Sequence, residues 1–157
     1  MPNKKTKRLI FSVFVLVFVS AVVFLINKNS INEADYCPIS ISQSDNNRLE
    51  CIELEIANSN NERVTGLSGR EKLPLTKGML FKFDSPGKRC IWMKDMNFSL
   101  DIIWLNRQKV ITNIKKDVNP NTYPESFCPS SDSQFVIELN SGVSDKAGLK
   151  VGQKINL

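Results

Sequence analysis

Leu49-Glu50-Cys51-Ile52-Glu53-Leu54-Glu55-Ile56 sets the architecture of the chain beyond it. Ile52, Leu54 and Ile56 alternate with Cys51, Glu53 and Glu55, and a period of two marks a strand with one face on a core and the other in water. Folding is therefore expected to begin near Leu49.

Downstream, Asn60-Asn61-Glu62-Arg63-Val64-Thr65-Gly66-Leu67 supplies a capping amide and one helical turn, kept short by Gly66 and Gly69. Five apolar runs come after it: Met79 to Phe83, Cys90 to Lys94, Ser99 to Leu105, Lys109 to Ile114 and Gln134 to Leu139, each bounded by Pro, Gly, Asn or Asp. The Asn106-Arg107-Gln108 break suits a hairpin. Ser141 to Ala147, stopped by Gly148, forms a second helical turn, and Lys154 to Leu157 closes the chain as a strand. Many short strands with little helix predict a mainly β, β-rich α+β domain over residues 49–157, compact and barrel-like, with one or two short helices.

Upstream, Asn27 to Arg48 is rich in Asn, Ser, Asp and Gln without apolar periodicity, the composition of a flexible linker over 27–48. Leu9 to Ile26 is an 18-residue apolar stretch broken only by Ser12 and Ser20. A helix rises about 1.5 Å per residue, so this one just spans the hydrocarbon core of a bilayer. Its β-branched residues favour strand in water, but a lone strand in lipid leaves its backbone unpaired, so a transmembrane helix over 9–26 is expected. Lys4, Lys5, Lys7 and Arg8 lie before it, and Lys28 alone follows it closely, which places the basic tail 1–8 in the cytoplasm and the remainder outside. The rival reading is a cleaved secretory signal. The apolar run exceeds the usual ~7 to 15 residues and no small-x-small site follows it, so an uncleaved signal anchor in the cell membrane is preferred.

The formal charge of +5 is concentrated in that tail; from Asn27 onward 17 basic residues face 16 acidic ones. No nucleic-acid partner is expected, since tracking phosphates requires a cluster of Lys and Arg on one face. The chain has no histidine, which removes most catalytic triads and zinc sites. No metal or other cofactor is expected. The glycines near Ala147-Gly148-Leu149-Lys150-Val151-Gly152 make no phosphate loop, because no Lys-Ser or Lys-Thr follows them.

An extracytoplasmic domain with four cysteines is expected to hold disulfides, each worth ~2 to 4 kcal/mol. Three pairings are possible. Cys51 shares its strand face with glutamates and so points toward whatever the linker lays across it, which favours Cys37 with Cys51 and, by elimination, Cys90 with Cys128. Free buried thiols are the alternative; a redox pair is disfavoured because no C-x-x-C occurs.

Gly66-Leu67-Ser68-Gly69-Arg70, Gly78-Met79-Leu80-Phe81, Trp92-Met93-Lys94, Leu100-Asp101-Ile102-Ile103 and Val136-Ile137-Glu138-Leu139-Asn140-Ser141-Gly142 recur in an order and spacing that resemble the domain of unknown function 192 family. The resemblance runs from about Arg63 to the C-terminus. It implies a compact β-rich fold and no established activity. The family usually has Asn-Thr after Trp-Met-Lys where this chain has Asp95-Met96, so a ligand role of that pair would not carry over.

Among candidate site residues, Asp101 lies in the apolar run Leu100 to Leu105, where an unpaired carboxylate is costly to bury. Arg70 is the expected partner, since a guanidinium grips a carboxylate through two parallel hydrogen bonds. Such a pair is either an internal brace or one wall of a polar pocket. Glu138 likewise interrupts Phe135 to Leu139; it is a solvent-facing strand residue or, with Asp101, an acid and base pair of the glycosidase kind. Met79, Phe81, Met93 and Trp104 either line a ligand groove or, the preferred reading, fill the core. Trp92 is the exception, expected partly exposed near Tyr123 and Pro124 of the Pro-rich loop Asn119 to Pro129, the rim of any binding surface.

The leading expectation is a noncatalytic binding module that meets an envelope protein or a small ligand, using Arg70, Trp92, Asp101, Tyr123 and Glu138. An envelope hydrolase acting through Asp101 and Glu138, and a purely structural envelope protein, are the alternatives.

Overall fold

Leu100–Leu105 has six consecutive buried residues, so both of its faces must be covered, and this strand lies within a sheet layered on two sides. The computed structural model describes residues 37–42 and 49–157. The basic tail, the expected transmembrane helix and most of the linker lie outside the described residues. Among the described residues, no helix is long and apolar enough to cross a membrane.

The strands are β1 (Ser40–Ser42), β2 (Leu49–Cys51), β3 (Glu53–Ala57), β4 (Lys77–Gly87), β5 (Ile91–Trp92), β6 (Leu100–Leu105), β7 (Ile111–Val118), β8 (Ser126–Phe127) and β9 (Ser133–Asn140). Helices α1 (Asn60–Thr65) and α2 (Val143–Lys146) are short, as their flanking glycines require. The main sheet has five strands in the order β3-β4-β9-β6-β7; β3 and β4 are parallel and the other pairs antiparallel. Two small antiparallel ribbons, β1-β2 and β5-β8, accompany it. The domain is thus mostly β with two short helices, but the sheet stays open. The expected barrel does not close, because β3 and β7 form its two edges.

Alternation along the inner strands sorts their side chains onto two cores. Leu80, Ile103, Leu105, Ile137 and Leu139 face one, with Ile39, Ile52, Val143 and Ile155. Met79, Phe81, Leu100, Ile102, Trp104 and Val136 face the other, with Leu67 and Met93. Trp104 is fully buried and donates its indole N–H to the Arg89 carbonyl at 2.6 Å.

Several boundaries differ from expectation. The fold takes in Cys37–Ser42 ahead of Leu49, because Ile39 is buried and β1 pairs with β2. The predicted strand Leu49 to Ile56 divides at Ile52 into β2 and β3. Its core face holds for Ile52 and Leu54, but Ile56, at the end of an edge strand, is 59% exposed. The β6-β7 hairpin turns at Asn106–Lys109, where Asn106 Oδ1 accepts from the Gln108 and Val110 N–H groups. The expected closing strand Lys154 to Leu157 does not form; this segment meets the hairpin at an isolated bridge between Val110 and Lys154.

Both favoured disulfides are present. Cys37 bonds Cys51 and Cys90 bonds Cys128, so no described cysteine is free.

Candidate functional site

Glu138 lies on β9 between Met79 of β4 and Ile102 of β6, its direct cross-strand partners. All three share the face occupied by the second core. The Glu138 side chain is 5% exposed and has no hydrogen-bond or ion-pair partner among the described residues. Burial disfavours its charged form and pushes its pKa up to about 8, so at neutral pH it is mainly a carboxylic acid.

The acid lines a cavity of about 300 Å³. Phe81 and Phe83 of β4, Leu100 of β6, Ile91 and Trp92 of β5, and Met96 form its apolar walls; Asn60, Arg63, Val64 and the Gly66-Leu67-Ser68 turn roof it. α1 is held in place by a reciprocal cap: Ser59 Oγ accepts from the Glu62 N–H at 3.3 Å, and Glu62 Oε2 accepts from the Ser59 N–H at 2.8 Å. The Ser59 and Asn58 N–H groups, both donating to Glu62 Oε2, hold the Glu62 carboxyl below the usual carboxylate range. Gly66, at φ +49°, ends the helix, and a Cβ there would stand 3.2 Å from the Phe81 ring.

Arg63 is the other charged group in the lining. It donates to the carbonyls of Asn58 and Lys82 and to Asn60 Oδ1, and its guanidinium lies 5.1 Å from the centre of the Phe83 ring. Each of these oxygen acceptors is neutral. Ser68 Oγ donates to the Lys94 carbonyl at 2.8 Å, and the Gly69 N–H to the Asp95 carbonyl at 2.7 Å, which ties the roof turn to the segment after Trp92.

Trp92 of the lining is 52% exposed and meets Tyr123, 45% exposed, their rings edge to face at 6.3 Å between centroids. β5-β8 pairing and the Cys90–Cys128 bond join the two segments that carry them. The two aromatics expected at a rim thus touch each other at the surface.

The other candidates lie elsewhere. Asp101 is fully buried on the opposite face of the sheet, so it forms no pair with Arg70 and shares no cleft with Glu138. Its Oδ1 accepts from the Asp117 N–H at 3.0 Å and its Oδ2 from the Ser144 N–H at 2.9 Å. A bulge in β7 sets two residues, Lys116 and Asp117, opposite Asp101; Asp117 adopts φ +50°, and its N–H reaches the carboxylate. Arg70 instead grips Glu55 of β3 through two bonds of 2.7 and 2.8 Å, which hold Glu55 below the usual carboxylate range. The expected Arg70–Asp101 brace is therefore replaced by two separate structural contacts. Each group has another partner: the Glu55 carboxylate of an edge strand accepts from Arg70, and backbone N–H groups donate to Asp101.

Arg63, Phe83 and Ser68 were not expected in a site. Asn60, Arg63 and Val64 stand three and four residues apart, a spacing that puts them on one helical face, and this was the available signal.

A model of the domain of unknown function 192 family, described as "Uncharacterized ACR", matches residues 41–157. The chain belongs to that family. No curated protein matches it. Two solved structures share its fold. One, described as a "putative transcription regulator", is from Sinorhizobium meliloti; it is 23% identical with a TM-score of 0.66, over 75% of this chain and 90% of that one. The other, a protein of unknown function from Novosphingobium aromaticivorans, is 24% identical with a TM-score of 0.66, over 76% of this chain and 83% of that one. The family's Gly66–Arg70 and Gly78–Phe81 blocks meet at the cavity, where the Phe81 ring lies under Gly66.

Proposed function

We propose that this family member is a noncatalytic small-molecule-binding module, held at the outer face of the cell membrane by residues 9–26. One observation carries the binding reading: the carboxyl of Glu138, a residue 5% exposed, lines an apolar cavity and has no bonding partner among the described residues. Such a group is costly to leave unsatisfied, and a convergent polar group in an apolar hollow is the usual form of a ligand site. The noncatalytic reading is supported by the lining. Glu138 stands without a second carboxylate, the Ser68 hydroxyl is engaged with a carbonyl, and Cys90 is in a disulfide, so no acid and base pair or activated nucleophile is assembled there.

The near balance of charge after Asn27 gives no support to a nucleic-acid role, although the Sinorhizobium relative is described as a regulator of transcription. Anchoring rests on the apolar run and the basic tail before it.

A thermal-shift screen of small molecules against the full chain in lipid nanodiscs tests the binding reading. Hits are expected that stabilise the protein and lose their effect in Trp92→Ala. Hits indifferent to both Trp92→Ala and Glu138→Gln would overturn it. A reporter fused after Leu157 is expected to be active only outside the cytoplasm, and activity in the cytosol would refute the anchored topology.

A further inference from the structure

The lining of the cavity narrows the chemistry of its ligand, on the binding reading above. An anion would meet the Glu138 carboxyl on the floor, which repels it once ionised. Arg63 could answer that charge, but three of its hydrogen bonds are already directed to Asn58, Lys82 and Asn60. A cation could ionise Glu138, yet it would share the cavity with the Arg63 guanidinium, whose acceptors are all neutral. A neutral hydroxyl meets neither objection. It donates one hydrogen bond and accepts others, and a carboxylic acid offers the complementary acceptor and donor at one point.

The walls and rim specify the rest. Trp92 keeps half its surface open, although burying such a ring is strongly favourable, and β5-β8 pairing with the Cys90–Cys128 bond fixes the segment that carries it. A rigid, open aromatic surface beside polar groups suits a ring with one apolar face and a polar edge. The Asn60 amide and the lone pairs of Ser68 Oγ add polar groups at the roof. The volume, about 300 Å³, is at the small end of ligand pockets, which favours one ring over an extended molecule.

We propose that the cavity takes a single neutral pyranose, its apolar face on Trp92 and its hydroxyls reaching Glu138, Asn60 and Ser68. Glu138 then acts as donor and acceptor together, and binding requires its protonated form. Among the described residues, Arg63 is the other titratable group facing the cavity.

The test uses the full chain in phosphatidylcholine nanodiscs and calorimetric titration with glucose, galactose, N-acetylglucosamine and their β-1,4 disaccharides. Hexylamine and hexanoate serve as the cationic and anionic probes. At least one sugar is expected to bind at about pH 6 and to lose about thirtyfold in affinity by about pH 9.5, as Glu138 ionises. Glu138→Gln is expected to abolish the pH dependence, and Trp92→Ala to weaken binding about tenfold. Binding of hexylamine or hexanoate but no sugar, lost in Trp92→Ala, would overturn the sugar assignment while leaving a binding cavity in place. Sugar affinity that rises with pH would also overturn it. If no probe binds and the small-molecule screen finds no Trp92-dependent hit, both readings fall together.

Discussion

Asp101 and Glu138 lie on adjacent strands, one residue out of register, and their carboxyl groups project from opposite faces of one sheet. Asp101 pairs with Leu139, and Glu138 with Ile102. A displacement of one residue along a strand reverses the face, so two acids close together in the fold enter different environments. One is bound by two backbone N–H groups; the other has no partner among the described residues and is mainly neutral at pH 7.

Glu138 should give the protein an unusual pH profile of stability. Its folded pKa is raised to about 8 from 4.5, so between those values the folded state holds a proton that the unfolded chain has released. Stability is then fully present below about pH 4.5, falls as pH rises, and levels off above about pH 8, with a total loss on the order of 5 kcal/mol. Glu138→Gln is expected to flatten that slope and to be more stable than the native chain at pH 8. Urea unfolding at several pH values measures it, and parallel slopes in the two proteins would refute it.

Asp101 should be structural. Asp101→Ala leaves the Asp117 and Ser144 N–H groups without their acceptor, and the loss is expected to be about 3 kcal/mol. Asp101→Asn retains one acceptor oxygen and should cost less. Amide hydrogen exchange at Ser144 should accelerate in Asp101→Ala, and unchanged exchange would contradict this role.

Gly66 should resist substitution. Gly66→Ala places a side chain at φ +49° and a Cβ 3.2 Å from the Phe81 ring, with an expected cost of ~1 to 3 kcal/mol. Gly69→Ala, also at positive φ but with nothing within 4 Å, is expected to cost less. Comparison of their unfolding midpoints checks that order. Equal losses would mean that the ring moves aside freely.

The two disulfides should differ in weight. Cys90–Cys128 closes a separation of 38 residues and Cys37–Cys51 one of 14, which chain-entropy scaling converts to about 4 and about 3 kcal/mol. Paired Cys→Ser variants compared by urea unfolding should follow that order. Loss of Cys90–Cys128 should also loosen Trp92, seen as a red shift in its emission.

Local patterns made the strands of the main sheet, the short helices, the β6-β7 turn and the disulfide pairing legible, because alternation, capping residues and hairpin breaks act over a few residues; the two-stranded ribbons, whose β1 and β8 are only two or three residues long, and the missing strand at Lys154 to Leu157 were not. The order β3-β4-β9-β6-β7 was not legible. It joins segments far apart in the chain, and nothing in the period of Met79 to Phe83 records that β9 and β3 flank it. The site suffered from the same limit. Trp92 and Tyr123 could be placed because a Pro-rich loop and an exposed strand position are local features. The true partners of Asp101 are backbone N–H groups, which no residue pattern encodes. The isolation of Glu138 depends on Met79 and Ile102, supplied by two other strands.

The parallel pairing of β3 with β4 obliges the chain to travel back across the sheet before β4 can begin, and α1 lies on that return path. The cavity therefore has a floor anchored in the central strands and a ceiling drawn from a connecting segment. Substitutions at Asn60, Arg63 or Val64 could retune what the hollow accepts without disturbing the strand ladder beneath it, so relatives sharing this scaffold have room to diverge in what they recognise.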